Sequence, residues 1–168
     1  MVTKSMKIKS DILFSTVDLM ARWASAKSMW PLSCGLSCCA IEMMHAAASR
    51  IDLDRFGCLF RSSPKQADLM IIAGTVTKKM LPQLLNLYDQ MLSPKYVIAM
   101  GSCAICGGLY AESESVVSNI QDFLRIDASV KGCPPAPEKL AEAILLLQKR
   151  IIENSHNDQS TSSSPCSP

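Results

Sequence analysis

The chain has 168 residues, of which 48% are hydrophobic, and a formal net charge of +2. This length accommodates one domain with a substantial core, and so small a net charge gives no sign of nucleic-acid binding. No apolar run is long enough for a membrane-spanning helix or a secretory signal, so we expect the protein to stay on the reducing side of its membrane. There, eight cysteines indicate metal or redox chemistry rather than a disulfide framework.

The N-terminal segment, residues 1–27, carries a rough helical pattern of apolar residues over 11–27. This pattern predicts a short amphipathic helix. Trp23 and Trp30 flank its end. Tryptophans in that position are typical of contact with a membrane interface or a partner subunit, and the alternative is a helix that packs on its own domain.

The next segment, residues 28–153, alternates between helical and strand patterns. A helix rich in Ala, Met and Cys is predicted over 35–49, and its largely apolar faces predict burial on most sides. Two further helices are predicted, one with Pro82 near its first turn and one that begins at Pro137. Short apolar runs predict three buried strands, at 68–73, 96–100 and 125–130.

Apolar strands separated by helices predict an α/β fold with a parallel sheet covered by helices. Residues 28–153 would form this single domain. The segment 154–168 is rich in Ser, Asn and Pro, and we expect it to be a disordered tail.

Four cysteines stand at informative positions. Cys38 and Cys39 are a tandem pair, Cys103 lies directly after the strand predicted at 96–100, and Cys133 lies directly after the strand predicted at 125–130. Ligands collect at the carboxyl ends of parallel strands. Four thiolates suit an iron–sulfur cluster or zinc. Scattered positions favour a cluster, since structural zinc sites usually draw their ligands from two close CxxC pairs.

The tandem pair raises a geometrical question. Adjacent side chains on a helix point about 100° apart. We therefore expect the backbone at Cys38 and Cys39 to be bent, as strain at a functional site.

The other cysteines leave alternatives open. Cys103 and Cys106 form a CxxC pair, which would suit a thiol oxidoreductase, although the surrounding pattern is not thioredoxin-like. Cys34, Cys58 and Cys106 are interpreted as small buried apolar residues. Cys34 and Cys106 lie close in sequence to the proposed ligands, so either would be able to replace one.

These residues also carry a resemblance to a known family. Residues 30–50 with the tandem cysteines, the Gly-Ser-Cys-Ala run at 101–104 and the Gly-Cys-Pro-Pro run at 132–135 closely resemble the B subunit of NADH:quinone oxidoreductase, respiratory complex I. The resemblance covers roughly residues 20–151. It implies a flavodoxin-like fold, similar to the small subunit of nickel–iron hydrogenases. It also implies a [4Fe–4S] cluster that passes electrons to quinone, coupled in the complex to proton translocation. The implied ligands are Cys38, Cys39, Cys103 and Cys133.

The resemblance further implies a quinone pocket between this chain and a larger subunit. It nominates Met44 as a lining residue and Glu42, Asp52 and Asp68 as nearby acidic positions. The alternatives are that Met44 belongs to the core and that Asp52 caps a helix or turn.

By the same resemblance, the partners are the larger quinone-site subunit, the adjacent iron–sulfur subunit, the membrane-domain subunits and quinone. The chain would be peripheral on the cytoplasmic side of a bacterial inner membrane, or on the matrix side in an organelle. The sequence has no glycine-rich dinucleotide fingerprint, so NADH oxidation would occur in another subunit. The alternatives are the electron-transfer small subunit of a related membrane-bound hydrogenase and a structural zinc-binding scaffold.

The sequence departs from the family pattern between Tyr110 and Cys133. Four residues differ in type from those usual in the family: Ser118, Asn119, Arg125 and Lys131. The spacing to Cys133 is kept, so we expect the differences to alter contacts with neighbouring subunits and the cluster's reduction potential.

Overall fold

A four-stranded parallel sheet forms the centre of the computed structural model, which describes residue 17 and residues 19–153. Its strands are β1 (Pro31–Gly35), β2 (Leu69–Ala73), β3 (Tyr96–Met100) and β4 (Ala128–Val130), and they lie side by side in chain order. The register pairs Gly35 with Ala73, Ala73 with Met100, and Met100 with Val130. The last residues of all four strands therefore line up, and we call this border the carboxyl edge.

Helices cover both faces of the sheet. They are α1 (19–27), α2 (Cys39–Ala47), α3 (Leu81–Gln90), α4 (Ser102–Cys106) and α5 (Pro137–Glu153). Side chains of a strand alternate between the two faces. In β2, Leu69 and Ile71 pack in the core beneath α2 and α5, whereas Met70 and Ile72 pack in the core with residues of α3 and α4. The predicted α/β fold with a parallel sheet flanked by helices is confirmed.

Most predicted elements are present. The strand predicted at 96–100 is β3, and those predicted at 68–73 and 125–130 are the shorter β2 and β4. Pro82 lies in the first turn of α3, and Pro137 opens α5. The sequence patterns did not predict β1 and α4. Because residues 31–35 form β1, the helix predicted over 35–49 begins only at Cys39.

The prediction that this helix is buried on most sides is wrong. Only Cys39, Met43 and Ala46 of α2 are buried. Ile41 and Met44 are 68% and 65% exposed. One face of α2 packs on the sheet and on α5, and the opposite face exposes Ile41 and Met44 together with His45.

The amphipathic helix predicted over 11–27 is present as α1, while residues 11–16 and 18 lie outside the described part of the chain. Trp23 is exposed on α1, and Ala26 is buried. The tail predicted at 154–168 also lies outside the described residues. In the described part, no helix has the length and apolar character needed to cross a membrane.

Gln148 links α5 to the loop that follows α2. Its side chain is 2% exposed, and its amide nitrogen donates a hydrogen bond of 3.0 Å to the carbonyl oxygen of Phe56. The same nitrogen lies 3.9 Å from the Cys58 sulfur. A buried donor that finds a backbone acceptor stabilises the contact between two segments that are distant in sequence.

Replacing Gln148 with Met keeps the approximate size of the side chain but leaves the Phe56 carbonyl without this donor. We expect the free energy of unfolding to fall by about 1–3 kcal/mol, the usual cost of an unsatisfied buried polar group. Urea denaturation followed by circular dichroism measures this. Gln83→Met, at an exposed position of α3, is the control and should change stability by less than about 0.5 kcal/mol. Equal effects of the two substitutions would contradict the assignment.

Candidate metal centre at the carboxyl edge

Three chain segments bring cysteines to the carboxyl edge. Cys38 and Cys39 stand at the start of α2, shortly after β1. Cys103 is the second residue of α4, which follows β3 through Gly101. Cys133 follows β4 after Lys131 and Gly132, and its peptide bond to Pro134 is cis. Cys39 and Cys103 are buried, whereas Cys38 and Cys133 are exposed.

The Cys39 thiol interacts electrostatically with each of the other three thiols. The pKa of the Cys39 thiol is raised to about 11, first by burial. Smaller increases come from the like charges of the other three cysteines, Cys38, Cys103 and Cys133. The structure therefore brings together all four residues that the sequence singled out.

Glycines make room for the sulfurs. Gly101 has a φ of +92°, and a Cβ atom there would lie 2.5 Å from the Cys39 sulfur. Gly108 has a φ of +53°, and a Cβ atom there would lie 2.9 Å from the Cys103 sulfur. Only glycine combines this backbone conformation with so close an approach. The positions of two thiols thus depend on the absence of a side chain in another segment.

A single ion and a polynuclear cluster place different demands on the four thiols. A tetrahedral zinc site, with Zn–S bonds of about 2.3 Å, needs sulfurs about 3.8 Å apart. Among residues 19–153 no three His, Cys, Asp or Glu side chains are grouped to hold one metal ion. In a [4Fe–4S] cluster each thiolate binds a different iron, so the sulfurs stand farther apart. Four cysteines are also the donor set that such a cluster requires.

The prediction that the backbone is strained at Cys38 and Cys39 is wrong. Cys38 has φ −52° and ψ −30°, an ordinary right-handed helical conformation, and Cys39 is helical. The unusual backbone instead lies at glycines of the other segments, among them Gly101 and Gly132, with φ values of +92° and +151°. Because glycine adopts these conformations at little cost, the thiols gather without strain at the ligands themselves.

Two of the remaining cysteines lie apart from this group. The pKa of Cys34 is raised to about 11 by burial, without a contribution from another cysteine. Burial also raises the pKa of Cys58 to about 11, with a smaller contribution from Asp54. Cys34 packs in the core on the α3 side of the sheet, so replacement of a ligand by Cys34 is not favoured. Cys106, at the end of α4, is half-buried, with its sulfur 3.4 Å from the Ser102 carbonyl oxygen.

Two serines of the site were not predicted from the sequence. Ser37 and Ser102 each precede a cysteine of the group. The Ser37 hydroxyl oxygen accepts a hydrogen bond from the Thr75 N–H (3.1 Å), and the Ser102 hydroxyl donates one to the Gly132 carbonyl (3.2 Å). The Ser-Cys dipeptide was the available signal, but it occurs also at Ser33-Cys34, which lies apart from the group.

Two of the four residues nominated for a quinone pocket lie on α2, the helix that carries the tandem cysteines. Met44 is exposed five residues beyond Cys39, about 8 Å along the helix axis. Glu42 is half-buried, and one of its carboxylate oxygens lies 3.7 Å from Nδ1 of His45. The alternative that Met44 is ordinary core does not fit its exposure.

The other two lie farther from the cysteines. Asp52, with φ +56°, begins the 3-10 helix Leu53–Phe56, but its side chain makes no capping hydrogen bond. Asp68 directly precedes β2, at the opposite end of the sheet from the carboxyl edge. A strand of five residues separates the two ends by about 16 Å. Asp68 lines a separate groove of about 490 Å³, together with Trp30, Lys65 and Tyr96.

Replacing Gly101 with Ala places a Cβ atom against the Cys39 sulfur. We expect lower stability, by about 1–2 kcal/mol from the positive φ, and loss of bound metal. Gly107→Ala is the matched control, because its φ is +75° and its Cβ would meet Ala111 rather than a cysteine. Thermal unfolding should report similar losses for both variants, whereas iron content should fall only in Gly101→Ala. Equal iron content in the two variants would argue against this geometry.

Asp68 should make stability depend on pH, because burial raises the pKa of its carboxyl group. The folded state then favours the neutral form. The stability that the neutral Asp68 carboxyl group gives to the folded state is fully present below the ordinary Asp pKa of about 3.9. It is lost as pH rises through the higher pKa of the folded state. Asp68→Asn, which stays neutral, should therefore gain stability over the wild type between about pH 4 and pH 7. Urea denaturation at both pH values measures this gain. Asp89→Asn, on the exposed face of α3, is the control, and a gain independent of pH would refute the prediction.

Comparison with known proteins agrees with this architecture. The family model for NADH ubiquinone oxidoreductase, 20 Kd subunit, matches residues 37–147, a range that includes all four cysteines. A B subunit of the NADH-quinone oxidoreductase of Rhizobium etli is 50% identical over 151 residues, which cover 90% of each chain. A chain from the membrane-bound sulfane sulfur reductase, an archaeal respiratory membrane complex, matches with a TM-score of 0.78 and 35% identity, over 82% of this chain and 77% of that one.

The matches in sequence and in structure each extend over most of the chain. This chain therefore belongs to the family of the NADH ubiquinone oxidoreductase 20 Kd subunit, a component of an oxidoreductase complex.

Proposed function

We propose that this chain holds one [4Fe–4S] cluster on Cys38, Cys39, Cys103 and Cys133 and is the electron-transfer subunit that delivers electrons to quinone. In the assembled NADH:quinone oxidoreductase this step would be coupled to proton translocation. The observation that carries the proposal is the arrangement of four thiols at one edge of a parallel sheet, with glycines opposite two of the sulfurs.

The chain's residues would hold the cluster and control its surroundings. When bound, the cluster accepts and releases one electron at a time. Four deprotonated thiolates at one edge would repel one another, and the positive charge of iron offsets that repulsion. The buried Cys39 and Cys103 would bind on the side of the protein interior, where low polarity tunes the potential. The exposed Cys38 and Cys133 would bind on the surface side.

The outward face of α2 supports quinone as the acceptor. Ile41 and Met44 form an exposed apolar surface on the helix that begins at the cysteines. An apolar surface of this kind suits the ring and tail of a quinone once a neighbouring subunit covers it. Glu42 lies on the same helix as an acidic neighbour of that surface. Asp52 and Asp68, which are farther from the cysteines, have weaker support as pocket residues.

A related electron-transfer subunit with a different acceptor is the second candidate. The structural relative belongs to a sulfane sulfur reductase, so this architecture also serves complexes other than NADH-quinone oxidoreductases. Identity is 50% to the subunit of the quinone enzyme and 35% to the chain of the sulfur reductase. The higher identity supports the quinone enzyme over the related complexes, including a membrane-bound hydrogenase.

The proposal also implies partners and a location. The chain would lie peripherally on the cytoplasmic side of a bacterial inner membrane, or on the matrix side in an organelle. Its neighbours would be the larger quinone-site subunit, an adjacent iron–sulfur subunit and membrane-domain subunits. The exposed apolar residues on α1 and α2 support contact with other subunits, because isolated soluble proteins rarely leave such surfaces uncovered.

Iron and sulfide analysis with low-temperature EPR of the anaerobically purified complex tests the proposal. We expect this subunit to contribute about four irons and a [4Fe–4S] signal that is lost when any of the four ligands is replaced with Ser. Cys34→Ala and Cys58→Ala are the matched controls. Both positions are buried and lie apart from the four thiols, so their variants should keep the signal.

The acceptor is tested separately. Oxidation of the reduced signal by an added quinone, and its slowing by Met44→Ala, would support quinone reduction at the α2 face. A wild-type protein without iron but with stoichiometric zinc would refute the electron-transfer role. A cluster that reduces no quinone would leave the cluster assignment intact and favour the related complexes.

A further inference from the structure

Ser37 ties the first cysteine segment to the end of the neighbouring strand. Its hydroxyl oxygen accepts a hydrogen bond from the Thr75 N–H (3.1 Å), and its own N–H donates to the Ala73 carbonyl (3.3 Å). Ala73 ends β2, which contributes no cysteine. Ser37 therefore fixes the position of the tandem cysteines relative to the centre of the sheet.

The contact of Ser37 with β2 requires a glycine. Gly74 has a φ of +111°, and a Cβ atom at this position would collide with the Ser37 side chain and backbone. The chain thus leaves space for the serine in the same way that Gly101 leaves space for the Cys39 sulfur. This close fit distinguishes the hydrogen bond from an incidental surface contact.

Ser102 joins the other two cysteine segments. Its hydroxyl donates to the Gly132 carbonyl at 3.2 Å, and its backbone N–H donates to the same oxygen at 2.9 Å. Ser102 precedes Cys103, and Gly132 precedes Cys133. A single carbonyl that accepts both donors sets the distance between two cysteines that are 30 positions apart in the chain.

We propose that Ser37 and Ser102 are positioning residues that set the relative orientation of the cysteine thiols and thereby the properties of the bound cluster. The inference rests on the function proposed above. Neither serine needs to touch the cluster, because each acts through the backbone that carries the ligands. Residues that orient metal ligands influence both metal affinity and reduction potential.

The two serines should differ in their effect. In Ser102→Ala the backbone N–H still donates to the Gly132 carbonyl, so one of the two hydrogen bonds between the segments remains. In Ser37→Ala the backbone N–H of residue 37 still donates to the Ala73 carbonyl, but the Thr75 N–H loses its acceptor and is left without a partner. We therefore expect Ser37→Ala to disturb the cluster more than Ser102→Ala does.

The experiment compares Ser37→Ala and Ser102→Ala in the purified complex, with Ser129→Ala as the control. Ser129 is exposed in β4, and within the described part of the chain its side chain makes no hydrogen bond. The readouts are the rate of iron loss to a chelator, the EPR line shape and the reduction potential. We expect iron loss to be about tenfold faster in Ser37→Ala and less accelerated in Ser102→Ala, with a changed line shape and potential in both.

A merely structural role would lower thermal stability without changing the line shape or potential of the cluster that remains. Ser102→Thr keeps the hydroxyl and should restore the wild-type spectrum. If Ser37→Ala fails to assemble, Ser102→Ala decides, because the Gly132 carbonyl keeps the backbone N–H of residue 102 as its donor. A wild-type line shape, potential and rate of iron loss in Ser102→Ala would overturn the inference while the proposed function stands. A wild-type complex without this cluster would overturn both.

Discussion

The register of the parallel hydrogen bonds between four short strands determines where the cysteine-bearing segments leave the sheet. The register aligns Gly35, Ala73, Met100 and Val130, the last residues of the strands. The segments that follow β1, β3 and β4 carry the cysteines, and the segment after β2 carries the hydrogen bond to Ser37. A shift of one strand by one residue would move its segment by about 3.3 Å and would turn its side chains to the opposite face.

The same alignment explains why glycines and serines accompany the cysteines. Segments that leave adjacent strands start about 4.8 Å apart, so side chains between them compete for little space. Gly74 and Gly101 remove side chains where a serine and a sulfur need room. Ser37 and Ser102 then hold neighbouring segments together through backbone groups. The thiols are thus placed by the conformational freedom of the glycines and by the hydrogen bonds that the serines make. The backbone at Cys38 and Cys39 keeps its ordinary helical geometry.

The sequence predicted the elements with strong patterns and missed those whose signals were weak. Uniformly apolar runs followed by Gly74 and Gly101 identified β2 and β3. Strand β1 carries the exposed Ser33 and Gly35, and α4 has only five residues, so neither showed a clear periodicity. Cys103 and Cys133 could be predicted from their positions after predicted strands, and Cys38 and Cys39 from their being a tandem pair. The separation of Cys34 from them could not, because it depends on β1, whose side chains point to alternate faces.

The unequal exposure of the four thiols determines from which side dioxygen would reach a bound cofactor. Cys39 and Cys103 lie inside the chain, whereas Cys38 and Cys133 lie at its surface. A cofactor bound to all four would be sealed by this polypeptide on one side only. Dioxygen and water would reach the other side until a neighbouring subunit covers it. The lifetime of such a cofactor in air would then be a property of the assembled complex, and a subunit contact would enclose the cofactor together with the cysteines.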